Sequence, residues 1–212
     1  MKKFVIFDLD GTLLNTLEDL KDSTNFALHE FAYPKRTLDE VRSFLGNGVQ
    51  KLIERAVPKD CQNVEECLKC FKNHYSENMY NKTAPYEGIV EVLKELREKG
   101  LKIGVVSNKF DAAVKELCEK YFDGLIDVAI GQSDEVAKKP APDGVLKAME
   151  ILGAEKEFTI YVGDSDVDVQ TAKNANLPCI GVTWGFRDRE NLFGADFIIE
   201  KPCDIINVIR SV

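Results

Sequence analysis

The sequence predicts an α/β fold: a doubly wound, mostly parallel sheet with an inserted helical bundle. Three observations predict it. From residue 85 onward, short apolar runs alternate with amphipathic helices, the pattern of βαβ units. From residue 16 to about residue 80, helical periodicity continues with no convincing strand. One isolated strand candidate, Phe4-Val5-Ile6-Phe7, precedes that helical block. The sheet is therefore split: residues 1–14 and 85–212 form the core, and residues 15–84 form the insert.

Taken in order, Phe4–Phe7 is a short apolar run that stops at a carboxylate and reads as a buried strand. Thr16 followed by Asp19 has capping-box spacing. Leu17, Leu20, Thr24, Ala27, Leu28 and Phe31 then recur at helical intervals, with Pro34 as the stop. Leu38, Val41 and Leu45 mark a second helix. After Gly46-Asn47-Gly48, Val49, Leu52, Ile53 and Ala56 mark a third. Val64, Cys67, Leu68, Phe71 and Tyr75 mark a fourth, which completes a small bundle. Ile89, Val92, Leu93 and Leu96 then form a helix ended by Lys99-Gly100. A strand over 102–106 runs into Ser107-Asn108-Lys109, and a helix carries Val114 to Tyr121. Ile126–Ile130 is a strand and Val145–Leu152 a helix. Phe158–Val162 is a strand running into Gly163-Asp164-Ser165. A helix to about Asn176, strands Cys179–Val182 and Phe197–Ile199, and a helix Ile205–Ile209 complete the chain.

The totals narrow the function. The chain has 212 residues, of which 44% are hydrophobic, enough for a real core. Its formal net charge of −8 argues against a nucleic-acid partner, which would require a basic stripe. The apolar run after Met1-Lys2-Lys3 is too short for a signal peptide, and no stretch is long enough to span a bilayer. The expectation is a cytoplasmic protein without a membrane partner, as a monomer or homodimer. Six scattered cysteines read as reduced thiols. Cys67, Cys70 and His74 share a helix face, but one face rarely closes a zinc site, so they read as packing.

Three strand candidates end in polar residues: Asp8 with Asp10, Ser107 with Asn108, and Asp164 with Asp168. In a parallel sheet their loops emerge on one side, where ligands bind. Gly11 permits a sharp turn after Asp10. Ser165 is a candidate N-cap, and the spacing from Asp164 to Asp168 puts both carboxylates on one side of that helix start; Asp166 points away. Carboxylates crowded together repel unless a cation lies between them. Hard oxygen donors without nearby His or Cys favour Mg²⁺. Pro140 and Pro142 stiffen the loop that presents Lys139, a cation suited to a phosphate or a carboxylate nucleophile.

Asp8-Leu9-Asp10-Gly11-Thr12, Ser107-Asn108, Lys139-Pro140 and Gly163-Asp164-Ser165-x-x-Asp168 stand in the order and spacing of the haloacid dehalogenase superfamily. The chain resembles that family over essentially its whole length. Within it, Leu13 to Leu20, Gly46-Asn47-Gly48-x-x-x-Leu52 and Pro85-Tyr86-x-Gly88 are similar to phosphoglycolate phosphatases. The resemblance implies a Rossmann-like core with a movable helical cap. It also implies a Mg²⁺-dependent phosphatase acting on a small phosphorylated metabolite. Asp8 would be the nucleophile that forms an aspartyl phosphate, and Asp10 the acid and base. The metal would be held by Asp8, the Asp10 carbonyl and Asp164. Thr12, Ser107 and Lys139 would hold phosphoryl oxygens, Asn108 would orient substrate, and Asp168 would order metal-bound water or Lys139. In the cap, the N-terminus of the helix after Gly46-Asn47-Gly48, together with Lys51, is expected to meet a substrate anion. The alternatives are a sugar phosphomutase of the β-phosphoglucomutase type and a receiver-like phospho-accepting domain.

Overall fold

The computed structural model describes residues 2–212. The chain divides into two compact units, residues 1–14 with 85–212 and residues 15–84.

The larger unit is built on a six-stranded sheet. Its strands are β1 (Phe4–Phe7), β4 (Lys102–Phe110), β5 (Val128–Gln132), β6 (Thr159–Gly163), β7 (Cys179–Val182) and β8 (Phe197–Ile199). Two two-residue strands, β2 (Leu14–Asn15) and β3 (Ala84–Pro85), pair with each other where the chain passes from one unit to the other. The spatial order is β5-β4-β1-β6-β7-β8, and every pairing is parallel. Val5, Ile6 and Phe7 are fully buried, which explains why β1 is apolar throughout. The helices α5 (Ile89–Glu98), α6 (Asp111–Phe122), α7 (Asp143–Leu152), α8 (Asp166–Ala175) and α9 (Asp204–Ser211) supply the crossovers and the C-terminal helix. Val145, Ala148 and Met149 of α7 and Val169, Ala172 and Ala175 of α8 pack with Ile6, Val106 and Tyr161 in one core.

The order in which strands are added reverses beside β1: β4 and β5 lie to one side, β6 to β8 to the other. Such a switch point opens a crevice at the carboxyl ends of the strands. Register then decides who meets there. Phe7 is level with Val105 on one side and Val162 on the other. Asp8 is therefore level with Val106 and Gly163, one residue before Ser107 on one side and one before Asp164 on the other.

Two strands depart from the sequence expectation. β4 continues through Ser107, Asn108 and Lys109, with a register shift against β5 between Val106 and Phe110. Such irregularities keep polar residues in a strand while re-aiming them. β5 begins at Val128, because Leu125 is spent on a turn, its N–H donating to Phe122, and Asp127 N–H donates to Ile103.

The smaller unit contains α1 (Leu17–Glu30), α2 (Leu38–Phe44), α3 (Val49–Ala56) and α4 (Val64–Asn78). Leu20, Ala27, Leu28, Val41, Leu52, Ile53, Cys67, Phe71 and Tyr75 fill its core. The capping box expected at Thr16 is not formed. Asp19 instead accepts Lys82 N–H at 3.0 Å and Thr83 N–H at 2.8 Å, tying the start of α1 to the returning chain. A true capping box joins Thr37 to Glu40. Cys67 is buried, while His74 stacks on Phe26 and meets Ser23 Oγ at 3.0 Å, so both serve packing. Lys51 is paired with Glu54 at 2.5 Å, and Asn47 accepts from Arg55 at 2.8 Å. Among the described residues, no helix is long and apolar enough to cross a membrane.

Candidate active site

The loop after β1 turns sharply. Leu13 and Leu14 N–H groups both donate to the Leu9 carbonyl at 3.0 Å, and Gly11 adopts φ +90°. A side chain at residue 11 would strike the Asp164 carboxylate, so the glycine supplies both the turn and the close approach. On the neighbouring strand, Ser165 caps α8 in a reciprocal box with Asp168, as its position suggested. Asp8, Asp164 and Asp168 are all buried, with one carboxylate oxygen of each within 4.8 Å of the others.

Lys139 enters this cluster from the loop before α7. Its Nζ lies 2.8 Å from Asp8 Oδ1 and 2.7 Å from Asp168 Oδ1. Asn108 fixes its backbone from both directions: Asn108 Oδ1 accepts Lys139 N–H at 2.8 Å, and Asn108 Nδ2 donates to the Lys139 carbonyl at 3.1 Å. Asn108, expected to orient substrate, holds the lysine backbone in this structure. The Lys139–Pro140 peptide is cis. Asp168 spends both oxygens on protein donors. Lys139 and Tyr161 reach Oδ1, and the Ser165 N–H and hydroxyl reach Oδ2.

Thr12, expected at the phosphoryl oxygens, meets a carboxylate here. Its side chain is fully buried and its hydroxyl donates to Asp164 Oδ1 at 3.4 Å, so it orients a carboxylate. Ser107 stays at the crevice and accepts Lys109 N–H at 3.2 Å. Asp10 turns to Lys109, whose Nζ donates to its two oxygens at 2.9 and 3.2 Å.

Four participants were not singled out in the sequence. Tyr161 is a strand residue whose hydroxyl donates to Asp168 at 3.0 Å. Lys109 follows Ser107-Asn108 directly, and that adjacency was its only signal. Phe186 N–H donates to Asp164 Oδ2 at 2.7 Å. Gly185 stands so close to Asp164 that no side chain would fit. Both belong to the loop after β7, the next strand along the crevice, and parallel topology alone marks that loop.

The electrostatics follow from burial. Burial pushes Asp8 up to about 7, with Lys139 opposing and Asp168 and Asp10 reinforcing the rise. Burial likewise holds Asp164 well above the usual carboxylate range, helped by Asp168 and Asp8. Burial alone would lower Lys139, yet Asp168 and Asp8 together hold it above its ordinary value. Against the four carboxylates Asp8, Asp10, Asp164 and Asp168, when ionised, stand the ammonium groups of Lys109 and Lys139. The deficit of two charges is what one divalent cation supplies. The donors are hard oxygens, and Asp8 Oδ1 is buried without a well-directed hydrogen bond despite its ion pair. These residues fit a divalent cation.

Asp8 holds its proton more tightly folded than unfolded. In the metal-free protein it therefore costs stability as pH rises from 3.8 to about 7. A divalent cation held by these carboxylates would compete with that proton and bind the folded state. Thermal melts should show Mg²⁺ raising Tm by several degrees at pH 8 and by clearly less at pH 5. An equal shift at both pH values would exclude these carboxylates as its site.

Comparison with known proteins agrees with this geometry. The family model for haloacid dehalogenase-like hydrolases matches residues 5–182. A phosphoglycolate phosphatase of Aquifex aeolicus is 33% identical over 210 residues, covering 99% of this chain and 97% of its own length. A pyrophosphatase PpaX of Listeria welshimeri is 31% identical over 212 residues, covering 98% and 96%. A crystal structure from Lactobacillus delbrueckii subsp. bulgaricus, provisionally named a phosphoglycolate phosphatase, superposes with TM-score 0.94 at 34% identity, covering 99% of each chain. With the family's motifs folded into one buried crevice, the chain belongs to the haloacid dehalogenase-like hydrolases.

Proposed function

We propose that this hydrolase is a Mg²⁺-dependent phosphatase that works through an aspartyl phosphate on small phosphorylated metabolites, 2-phosphoglycolate first among them. The observation that carries it is the meeting of buried Asp8, Asp164 and Asp168 around Lys139. An Asp8 oxygen attacks phosphorus as the bond from phosphorus to the leaving oxygen breaks. Asp10 gives that oxygen its proton, then takes one from the water that cleaves the acyl phosphate. Lys139 and Ser107 hold phosphoryl oxygens, and Lys139 offsets charge between nucleophile and phosphate. Asn108 and Asp168 keep Lys139 in place. The Mg²⁺ would be held by Asp8, Asp164 and the Asp10 carbonyl, and it would screen the charge that builds on the phosphoryl group. The helical unit would serve as the cap.

The pyrophosphatase relative makes inorganic pyrophosphate the second compound to try. The test is a phosphate-release screen over about a hundred phosphorylated metabolites, reported as kcat/KM. We expect release with Mg²⁺, less than about 1% of it in excess EDTA, and phosphoglycolate or pyrophosphate at the head of the ranking. Interconversion of glucose phosphates without release would select the mutase. A stable phosphoprotein without turnover would select the receiver-like domain.

A further inference from the structure

Lys109 has no part in the mechanism above, yet it is the second cation of the crevice. Its side chain is 1% exposed, and its ammonium spans both oxygens of Asp10, which is 20% exposed. A buried ammonium is costly to desolvate and is kept where an anion meets it. Its backbone is fixed as firmly, in β4 and by the N–H donated to Ser107.

The position of Lys109 relative to Asp10 limits what it can touch. If Asp10 protonates the leaving oxygen, that oxygen comes within hydrogen-bond reach of Asp10, whose Oδ1 lies 2.9 Å from the Lys109 ammonium. Groups one or two bonds from the leaving oxygen are therefore those that Lys109 can meet. We propose that Lys109 is a specificity-determining residue that selects phosphoryl donors whose leaving group carries an anionic group within two bonds of the bridging oxygen. The carboxylate of phosphoglycolate is such a group, and so is the second phosphate of pyrophosphate. One chemistry then covers both compounds. The inference rests on the proposed phosphatase reading and names the substrate class of that site.

The test compares 2-phosphoglycolate with its neutral carboxamide, an ester of nearly the same shape. With Mg²⁺ present, the wild-type enzyme should favour the carboxylate in kcat/KM by roughly tenfold to a hundredfold, the worth of one charge-assisted hydrogen bond. Lys109→Met should shrink that ratio to within about threefold, whatever loss both substrates share, and Lys109→Arg should restore much of it. A wild-type enzyme that treats the two esters alike overturns the proposal without any variant. So does a Lys109→Met enzyme that keeps the full ratio. Either result leaves the phosphatase reading standing, because both esters are still hydrolysed. Failure to hydrolyse either ester, or any other monoester, overturns both.

Discussion

Asp8→Asn is expected to reduce phosphate release by at least about 10⁴-fold while leaving the protein as stable as before, or more so. The amide keeps the shape of the carboxylate but cannot attack phosphorus. On the proposed mechanism, activity falls because the acyl phosphate never forms. Stability behaves differently because Asp8 is a charge held against its preference: burial has pushed its pKa up to about 7. Removing that charge relieves Asp164 and Asp168, while Lys139 keeps its 2.7 Å contact with Asp168. Metal-free melts at pH 8 should therefore give an Asp8→Asn Tm at or above that of the wild-type protein. Substrate sites that sacrifice stability for reactivity show this trade. Retained turnover in purified Asp8→Asn protein would exclude Asp8 as nucleophile.

Lys139→Met is expected to damage both properties. The ammonium is the cation shared by Asp8 and Asp168, and its hold above the ordinary lysine pKa keeps it charged throughout the useful pH range. Without it, three buried carboxylates lie together uncompensated, a loss on the order of 3–5 kcal/mol for a broken buried ion pair. Phosphate release should fall by roughly 10³-fold, as for loss of a preorganised electrostatic contact. The fall in Tm should be larger at pH 8 than at pH 5, since the unpartnered carboxylates can take up protons at the lower pH. Mg²⁺ should recover part of the lost Tm but little of the rate, because the ion cannot take Lys139's place at the phosphoryl oxygens. Full recovery of the rate by Mg²⁺ would show that Lys139 serves only to balance charge. Lys139→Arg is not a gentle control, since a planar guanidinium does not fit a site built for a point charge.

Much of this was legible in the sequence because it depends on local rules. Phe4–Phe7 reads as a strand because an apolar run must be buried, and the Asp-x-Asp-Gly turn follows from one glycine that tolerates φ +90°. Ser165 and Asp168 announce a helix start by their spacing alone. Local rules also misled. Thr16 and Asp19 have the spacing of a cap, but Asp19 found better donors at Lys82 and Thr83, more than sixty residues on. For Thr12 and Asn108 the family resemblance implied contacts with the substrate. Packing instead turned one to Asp164 and the other to the Lys139 backbone.

By itself, then, the chain of residues determined which segments become strands and helices, which carboxylates share the open edge, and that a lysine would join them. Those are consequences of periodicity, turn chemistry and parallel topology. Only the tertiary structure decided the partners of each side chain: Lys109 on Asp10, Tyr161 on Asp168, and the Phe186 N–H on Asp164. Such pairings join residues 7 to 99 positions apart. They are fixed by register between strands and by the need of every buried charge for an opposite one, and neither is written in any single stretch of sequence.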